Sequence, residues 1–377
     1  MEKTLELKTS ASSCVVVKQV SLPPTALQHT ANVDRGTLEP RALLSSLLRE
    51  VSRSFYRTLR ILPSGVRPQI SLAYLLARTS DTIADTELVP LERRIQTLSE
   101  LRNRILGLSP QPVELGELAR HQGAPAERVL LENCEPALGL LRSLSPGDLG
   151  RLRDVLAIII SGQELDLRRF AAASSEHVVA LSTEAELDDY TYRVAGCVGE
   201  FWTKMCRAHL FPEAILDEEN LMAKAVDFGK GLQLVNILRD LPADLRKGRC
   251  YLPQESLKQV QLTPPDLVQP SNEPRLRPTY DRYLKRADDF LESGWAYTEL
   301  LPRRCVRVRL ACAWPLLIGR ETLGLLRSNN VLNPHQRIKI SRRQLKTIIF
   351  RTVLYYPWPR AWRRLFSSPK TSASQPH

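Results

Sequence analysis

No run of apolar residues in this chain approaches the 18 that a membrane-spanning helix needs, and the cluster Ala157-Ile158-Ile159-Ile160 falls far short of it. Seven cysteines lie at irregular spacing without a CxxC, which argues against both a disulfide framework and a zinc site. Reduced, cytosol-facing thiols fit instead, and with them a cytoplasmic protein. The six histidines are scattered and form no HExxH. Aromatic residues make up only 6%, with no interleaved basic and aromatic stacking motif, so no nucleic-acid partner is expected. No segment alternates strictly as a half-buried strand would, and no repeat recurs at a solenoid period. The N-terminus carries Glu2 and Glu6 among short apolar runs and does not read as a secretory signal.

What is present points to a helical protein with an anionic partner. The 377 residues are 43% hydrophobic and 25% charged, ample for a packed core. Against 41 Asp and Glu stand 53 Lys and Arg, and the resulting +12 calls for an anionic partner: a phosphorylated small molecule or a phospholipid. Residues 1–36 lack sustained periodicity and read as a loosely ordered leader. From 41 onward, apolar residues recur at three- and four-residue steps. Helical text continues through 91–108, 128–144, 146–170, 184–209, 217–239, 277–301 and 304–328. The stretch 263–278, with five prolines, reads as a surface loop. The fold class is therefore all-α, with one domain over 37–338 and a basic, aromatic segment over 339–377. That last segment carries Trp358 and Trp362 among Arg and Lys, a composition suited to a peripheral contact with lipid headgroups. Pro357 and Pro359 interrupt any continuous helix there.

Two acidic pairs stand out: Asp81 with Asp85, and Asp240 with Asp244. Residues four apart share one face of a helix, so each pair presents two carboxylates side by side. Such pairs repel unless something positive sits between them. Arg78 precedes the first; Gln233, Asn236, Arg239, Arg246, Lys247 and Arg249 surround the second. Mg²⁺ is commonly held by one or two carboxylates plus phosphate oxygens, so the pattern suits a magnesium-bridged diphosphate. Pro242 lies between Asp240 and Asp244 and is expected to end or bend the helix.

The wider wording resembles the squalene/phytoene synthase family. The matching motifs are Ser52-Arg53-Ser54-Phe55; Tyr74, Arg78, Asp81 and Asp85; Tyr190 with Tyr192, Gly196 and Gly199; Gln233, Asn236, Arg239 and Asp240; and Gly248-Arg249-Cys250-Tyr251-Leu252-Pro253. Their order and approximate spacing agree over 41–345. Cys312-Ala313-Trp314-Pro315 and Arg337-Ile338-Lys339-Ile340 lean toward the squalene synthases within the family. Three positions depart from it: Ala84 and Ala243 where relatives often carry a further acid, and Ser341 where squalene synthases tend to have Arg.

The resemblance implies an isoprenoid synthase fold with helices around a central cavity, a prenyl diphosphate substrate and a monomer. It implies that Asp81, Asp85, Asp240 and Asp244 bind Mg²⁺, and that Ser52, Arg53, Ser54, Arg78, Gln233, Asn236 and Arg249 grip diphosphate. Phe55, Tyr74, Tyr190 and Tyr251 would line the cavity and steady carbocations through their ring faces, Tyr190 counted among the catalytic residues. Arg53, Arg78, Arg239 and Lys339 match positions of NADPH contact; with no GxGxxG after a strand, a nicotinamide would bind the helical body directly. Gly196 and Gly199 read as points of close helix approach. Gln163 to Asp166 reads as a polar site on another cavity-lining helix. The implied reaction joins two farnesyl diphosphates head to head through presqualene diphosphate, followed by NADPH-dependent reduction to squalene. Phytoene or dehydrosqualene synthesis without reduction, and a non-catalytic isoprenoid-binding protein, are the alternatives.

Overall fold

The computed structural model describes residues 47–52 and 55–367. The leader at 1–36, Arg53, Ser54 and the side chain of Phe55 lie outside that description. Two short helices, Leu48–Ser52 and Phe55–Ile61, lead into α1 (Arg67–Asp85), which carries Pro68 in its first turn, where a missing N–H costs nothing. α2 (Leu91–Leu106) stops at Gly107, whose φ of 77° closes the helix in the left-handed region. α3 (Pro146–Arg169) starts on the Ser145 cap, and α4 (Glu184–Thr191) on the Thr183 cap. A π turn, Tyr192–Gly196, joins α4 to α5 (Cys197–Leu210). α6 (Glu218–Leu245) is capped by Asp217 and followed by α7 (Glu273–Leu300) and α8 (Val306–Arg327). α9 (Arg342–Tyr355) and α10 (Pro359–Ser367) close the described chain.

α6 is the central post. It packs most extensively along α7 and also against α5 and α8, while α1 and α2 both pack on α3, which in turn meets α5. Apolar on nearly every side, α6 buries Leu234, Val235, Ile237 and Leu238 at once, as a helix surrounded by others must. One apolar cluster extends from Leu47 to Phe366. Glycines set the closest approaches. A Cβ on Gly199 would sit 1.9 Å from the Ala225 carbonyl oxygen, and one on Gly229 would sit 2.1 Å from that of Ala195. The expectation that Gly199 permits close helix packing is met by α5 against α6; Gly229, its counterpart on α6, was not singled out in the sequence.

Three expectations about elements change. The stretch 128–144 is not one helix but Pro125–Glu132, Cys134–Gly139 and a 3₁₀ turn Leu140–Ser143, broken where Pro136 follows Asn133. The proline-rich stretch contains two 3₁₀ turns and already turns helical at Glu273. Most consequentially, α6 does not end at Pro242 but runs through it to Leu245. Pro242 cannot donate to the carbonyl of Leu238 four residues back. The hydroxyl of Tyr280 on α7 donates to that carbonyl instead, at 2.9 Å. The lost backbone bond is thus replaced by a side chain, and the four-residue relation of Asp240 and Asp244 stays helical.

The described strands are only a two-residue parallel pair, β1 (Val179–Ala180) with β2 (Arg249–Cys250). Gly248 turns the chain from α6 into β2 at a φ of 73°; a Cβ there would lie 2.1 Å from the Ser174 carbonyl oxygen.

Candidate active site

Asp81 is 1% exposed on α1, and Nε2 of Gln163 on α3 donates to its Oδ1 at 2.6 Å. Arg78, one turn earlier, lies 3.6 Å from Oδ2 and also donates to Glu127. Burial works against the Arg78 charge, but Asp81, Glu127, Tyr74 and Asp85 outweigh it and hold its pKa above the ordinary value. Tyr74 is buried beside this pair, and burial raises its hydroxyl pKa well above the usual tyrosine range. The exit of α1 is closed by Arg94, whose Nη1 donates to the Ala84 carbonyl at 2.7 Å, a cation at the negative end of a helix. Ala84 itself packs against the apolar core.

β2 explains why Arg249 and Tyr251 act together. Val179 N donates to the Gly248 carbonyl and Leu181 N to the Cys250 carbonyl, pinning the segment in extended form. Alternate residues of a strand share a side, so Arg249 and Tyr251 point one way while Cys250 enters the core. Tyr251 donates to Oδ2 of Asp166 at 2.9 Å and stacks on Tyr190 with ring centroids 4.6 Å apart. Phe170 meets the Tyr251 ring edge-on at 5.1 Å. Burial pushes the Asp166 carboxyl up to about 6, against the pull of Arg249, the Tyr251 hydroxyl and Arg169. For Arg249 burial is again opposed, by Tyr251, Asp166, Asp85 and Glu87, and its pKa ends above the ordinary value.

The second acidic pair sits in a wetter setting. Asp240 has a side chain 32% exposed, and its neighbour Arg239 clasps it in bidentate fashion, Nε to Oδ1 at 2.9 Å and Nη2 to Oδ2 at 2.6 Å. Asp244 is buried one turn on. Immediately after α6, Lys247 reaches Glu87 at 3.1 Å and Arg249 reaches it at 3.9 Å. Glu87 lies two residues beyond Asp85, so these pairs tie the ends of α1 and α6 together. Upstream on α6, the Asn236 amide lies 3.5 Å from Oε1 of Gln233. Both side chains face a cavity of about 110 Å³ walled by Val198, Trp202, Phe228 and Leu232, and closed by Cys312 and Pro315 of α8. Burial pushes the Cys312 thiol up to about 12, which makes it a wall rather than a nucleophile.

The remaining predicted residues are dispersed. Ser52 ends a short helix and donates back to the Leu48 carbonyl. Lys339 is exposed in the extended stretch before α9. Ser341 caps α9 in a reciprocal box with Gln344, a structural task that Arg could not perform. Among the described residues, no three His, Cys, Asp or Glu side chains gather into a metal cluster.

The model of the squalene/phytoene synthase family matches residues 48–344. The chain belongs to that family. Presqualene diphosphate synthase of Sinorhizobium fredii is 28% identical to it over 304 residues, 80% of this chain and 93% of the relative. The 15-cis-phytoene synthase of Synechocystis sp. is 25% identical over 334 residues, covering 85% and 86%. A solved complex of TcSQS with a ligand superposes with a TM-score of 0.70 at 20% identity, over 88% of this chain and 90% of that one. The fold is thus the all-α fold of squalene synthases, and the family to which the chain belongs is one of head-to-head prenyl diphosphate condensation.

Within this family member, the sequence reading passed over Glu127, Glu87, Arg94 and Tyr280, and it marked Asp166 only as part of a polar cluster. For Asp166 a signal existed: Gln163 and Asp166 are three apart on one helix and both are buried, Gln163 on Asp81 and Asp166 under the Tyr251 hydroxyl, whereas Glu164 between them pairs with Arg102 at 3.3 Å.

Proposed function

We propose that this synthase joins two molecules of farnesyl diphosphate into presqualene diphosphate. The observation that carries the reading is the tie between the ends of α1 and α6, which brings acids and cations to the same end of two helices. The apolar cavity, to which Gln233 and Asn236 contribute amides, accompanies it. The S. fredii relative, matched over nearly its whole length, carries the corresponding name.

In the reaction, the allylic C–O bond of one farnesyl diphosphate breaks, and its electron pair leaves with diphosphate. The C2–C3 double bond of the second molecule attacks the resulting C1 cation, and loss of one proton closes the cyclopropane ring. Arg78 and Arg249, kept charged by their carboxylate neighbours, would grip diphosphate oxygens, with Ser52, Arg53, Ser54, Gln233 and Asn236 completing the grip. The ring faces of Tyr190 and Tyr251, with Tyr74 and Phe55, would face the cationic chain. The apolar walls exclude water, which would otherwise quench the cation to an alcohol.

The donor set fits magnesium: oxygen ligands only, at helical spacing, with Asp240 partly exposed, for an ion that takes one or two carboxylates and fills its remaining positions with phosphate and water. Asp81, Asp85, Asp240 and Asp244 would hold it, and bound there it would neutralise charge developing on the leaving diphosphate. Reduction to squalene is a second reading, favoured by Cys312 and Pro315 of the squalene-synthase-like strip lining the cavity. In that reading Arg53, Arg78, Arg239 and Lys339 would meet NADPH, which would supply the hydride. Incubation with farnesyl or geranylgeranyl diphosphate and Mg²⁺, with and without NADPH, tests both readings. Presqualene diphosphate without NADPH is expected. Phytoene from the longer substrate alone would overturn the choice of substrate, and no product from either would favour a binding protein.

A further inference from the structure

The charge of this chain is segregated. After Glu321 there is no Asp or Glu, yet 11 of the 53 Lys and Arg lie there; the other 42 are offset by all 41 acids. Nearly the whole +12 therefore belongs to the last stretch, which is not a detached tail. Trp314 of α8 donates to Thr352 of α9 at 2.9 Å, and Trp362 and Phe366 of α10 stack on Trp295, each with centroids 5.3 Å away. The α9–α10 hairpin is bolted to the body by one side only.

Its other side is unusual. Of nine large apolar side chains exposed among the described residues, four fall within nine positions: Phe350 (65% exposed), Val353, Leu354 and Trp358 (57%). At about 100° per residue, Phe350, Val353 and Leu354 occupy one arc of α9, opposite the Ile348, Ile349 and Thr352 side that packs inward. Arg343 and Lys346 lie on the same outer arc, one to two turns earlier. No described ion pair engages Arg342, Arg343, Lys346, Arg351 or Arg360, whereas Arg363 has Glu299 at 3.2 Å. Apolar side chains ringed by unneutralised cations, on a rigid helix lying across the body, form the pattern of an interfacial helix. Among the described residues no helix is long and apolar enough to cross a membrane.

We propose that the outer face of α9, with the turn at Trp358, docks the enzyme on an anionic bilayer surface. Phe350, Val353, Leu354 and Trp358 enter the headgroup boundary, and Arg342, Arg343 and Lys346 meet lipid phosphates. A nucleic-acid partner would use the cations but leave the apolar arc without a role. The inference does not depend on which product the enzyme makes.

The test is co-sedimentation of the full chain with phosphatidylcholine vesicles, with or without phosphatidylglycerol. Binding to the mixed vesicles should exceed binding to neutral ones about 10-fold or more. The Phe350→Ser/Trp358→Ser variant and the Arg342→Gln/Arg343→Gln/Lys346→Gln variant should each lose about 10-fold in affinity, with thermal melting unchanged. Phe350→Ser alone, at a solvent-facing position, serves if a multiple variant folds poorly. Absence of vesicle binding by the full chain would overturn the proposal. So would binding that survives loss of Phe350 and Trp358, which would mark a polyanion surface instead.

Discussion

The two acidic pairs share one spacing and little else. On α1, Asp81 is buried and pinned by Gln163 and Arg78; on α6, Asp240 is partly exposed and held by its own neighbour Arg239. One carboxylate is held by side chains of two helices, and among the described residues the other is clasped by the side chain next to it. One spacing is thus compatible with two settings: a carboxylate locked in place on α1 and a more adjustable one on α6. Releasing Asp240 toward an incoming ligand requires only that Arg239 swing away, whereas moving Asp81 would strip Gln163 and Arg78 of a buried partner.

The sharpest way to break this comparison is to neutralise each acid. Asp81→Asn and Asp240→Asn should each lower turnover of farnesyl diphosphate by about 10³-fold. Their stabilities should part: Asp81→Asn is expected to lose about 1–3 kcal/mol in denaturant titration, and Asp240→Asn about 0.5 kcal/mol or less. Equal destabilisation by both would remove the distinction. Next in size is Gly199→Ala, which forces α5 off α6 against the Ala225 carbonyl. A loss of about 3 kcal/mol is expected, and a melting curve matching that of the parent would contradict the packing described.

A smaller effect appears only as pH dependence. The folded chain keeps the Asp166 proton up to about pH 6, while an unfolded aspartate releases it near its ordinary value of 3.8. Between those values the folded state binds more protons, so stability falls as pH rises through that window and levels off above it. Thermal melting of Asp166→Asn across the same range should lack that fall; parallel curves would refute the raised carboxyl. Smallest is Tyr280→Phe, which strips the Leu238 carbonyl of its donor beside Pro242 and should cost about 1 kcal/mol by chemical denaturation. In a Pro242→Ala background the backbone N–H returns, and the same change should cost less.

The sequence made the helices and both acidic pairs legible because each is a matter of spacing within one element. Arg249 and Tyr251 were legible as a motif, yet their common direction depends on β2, too short to leave an alternating pattern. Contacts that span many residues were not legible. Arg78 selects Glu127, Tyr251 selects Asp166 and Tyr280 selects Leu238, across 49, 85 and 42 positions, where no local period specifies the partner. Pro242 misled for the same reason: the rule that proline breaks a helix is local, and the hydroxyl that repairs the break comes from α7.

The π turn at Tyr192–Gly196 has one more result. In an unbroken α-helix, Tyr190 and Gly199, nine residues apart, would stand about 180° from each other around the axis. A π turn absorbs one extra residue and so takes back about 100° of that rotation. The tyrosine that stacks on Tyr251 and the glycine that borders the cavity thereby come round toward a common side of one rod. Deleting a single residue between them would leave a regular helix with the two still about 80° apart, whereas straightening the turn with all nine steps kept would put them on opposite sides. Here local irregularity is what keeps the wall continuous.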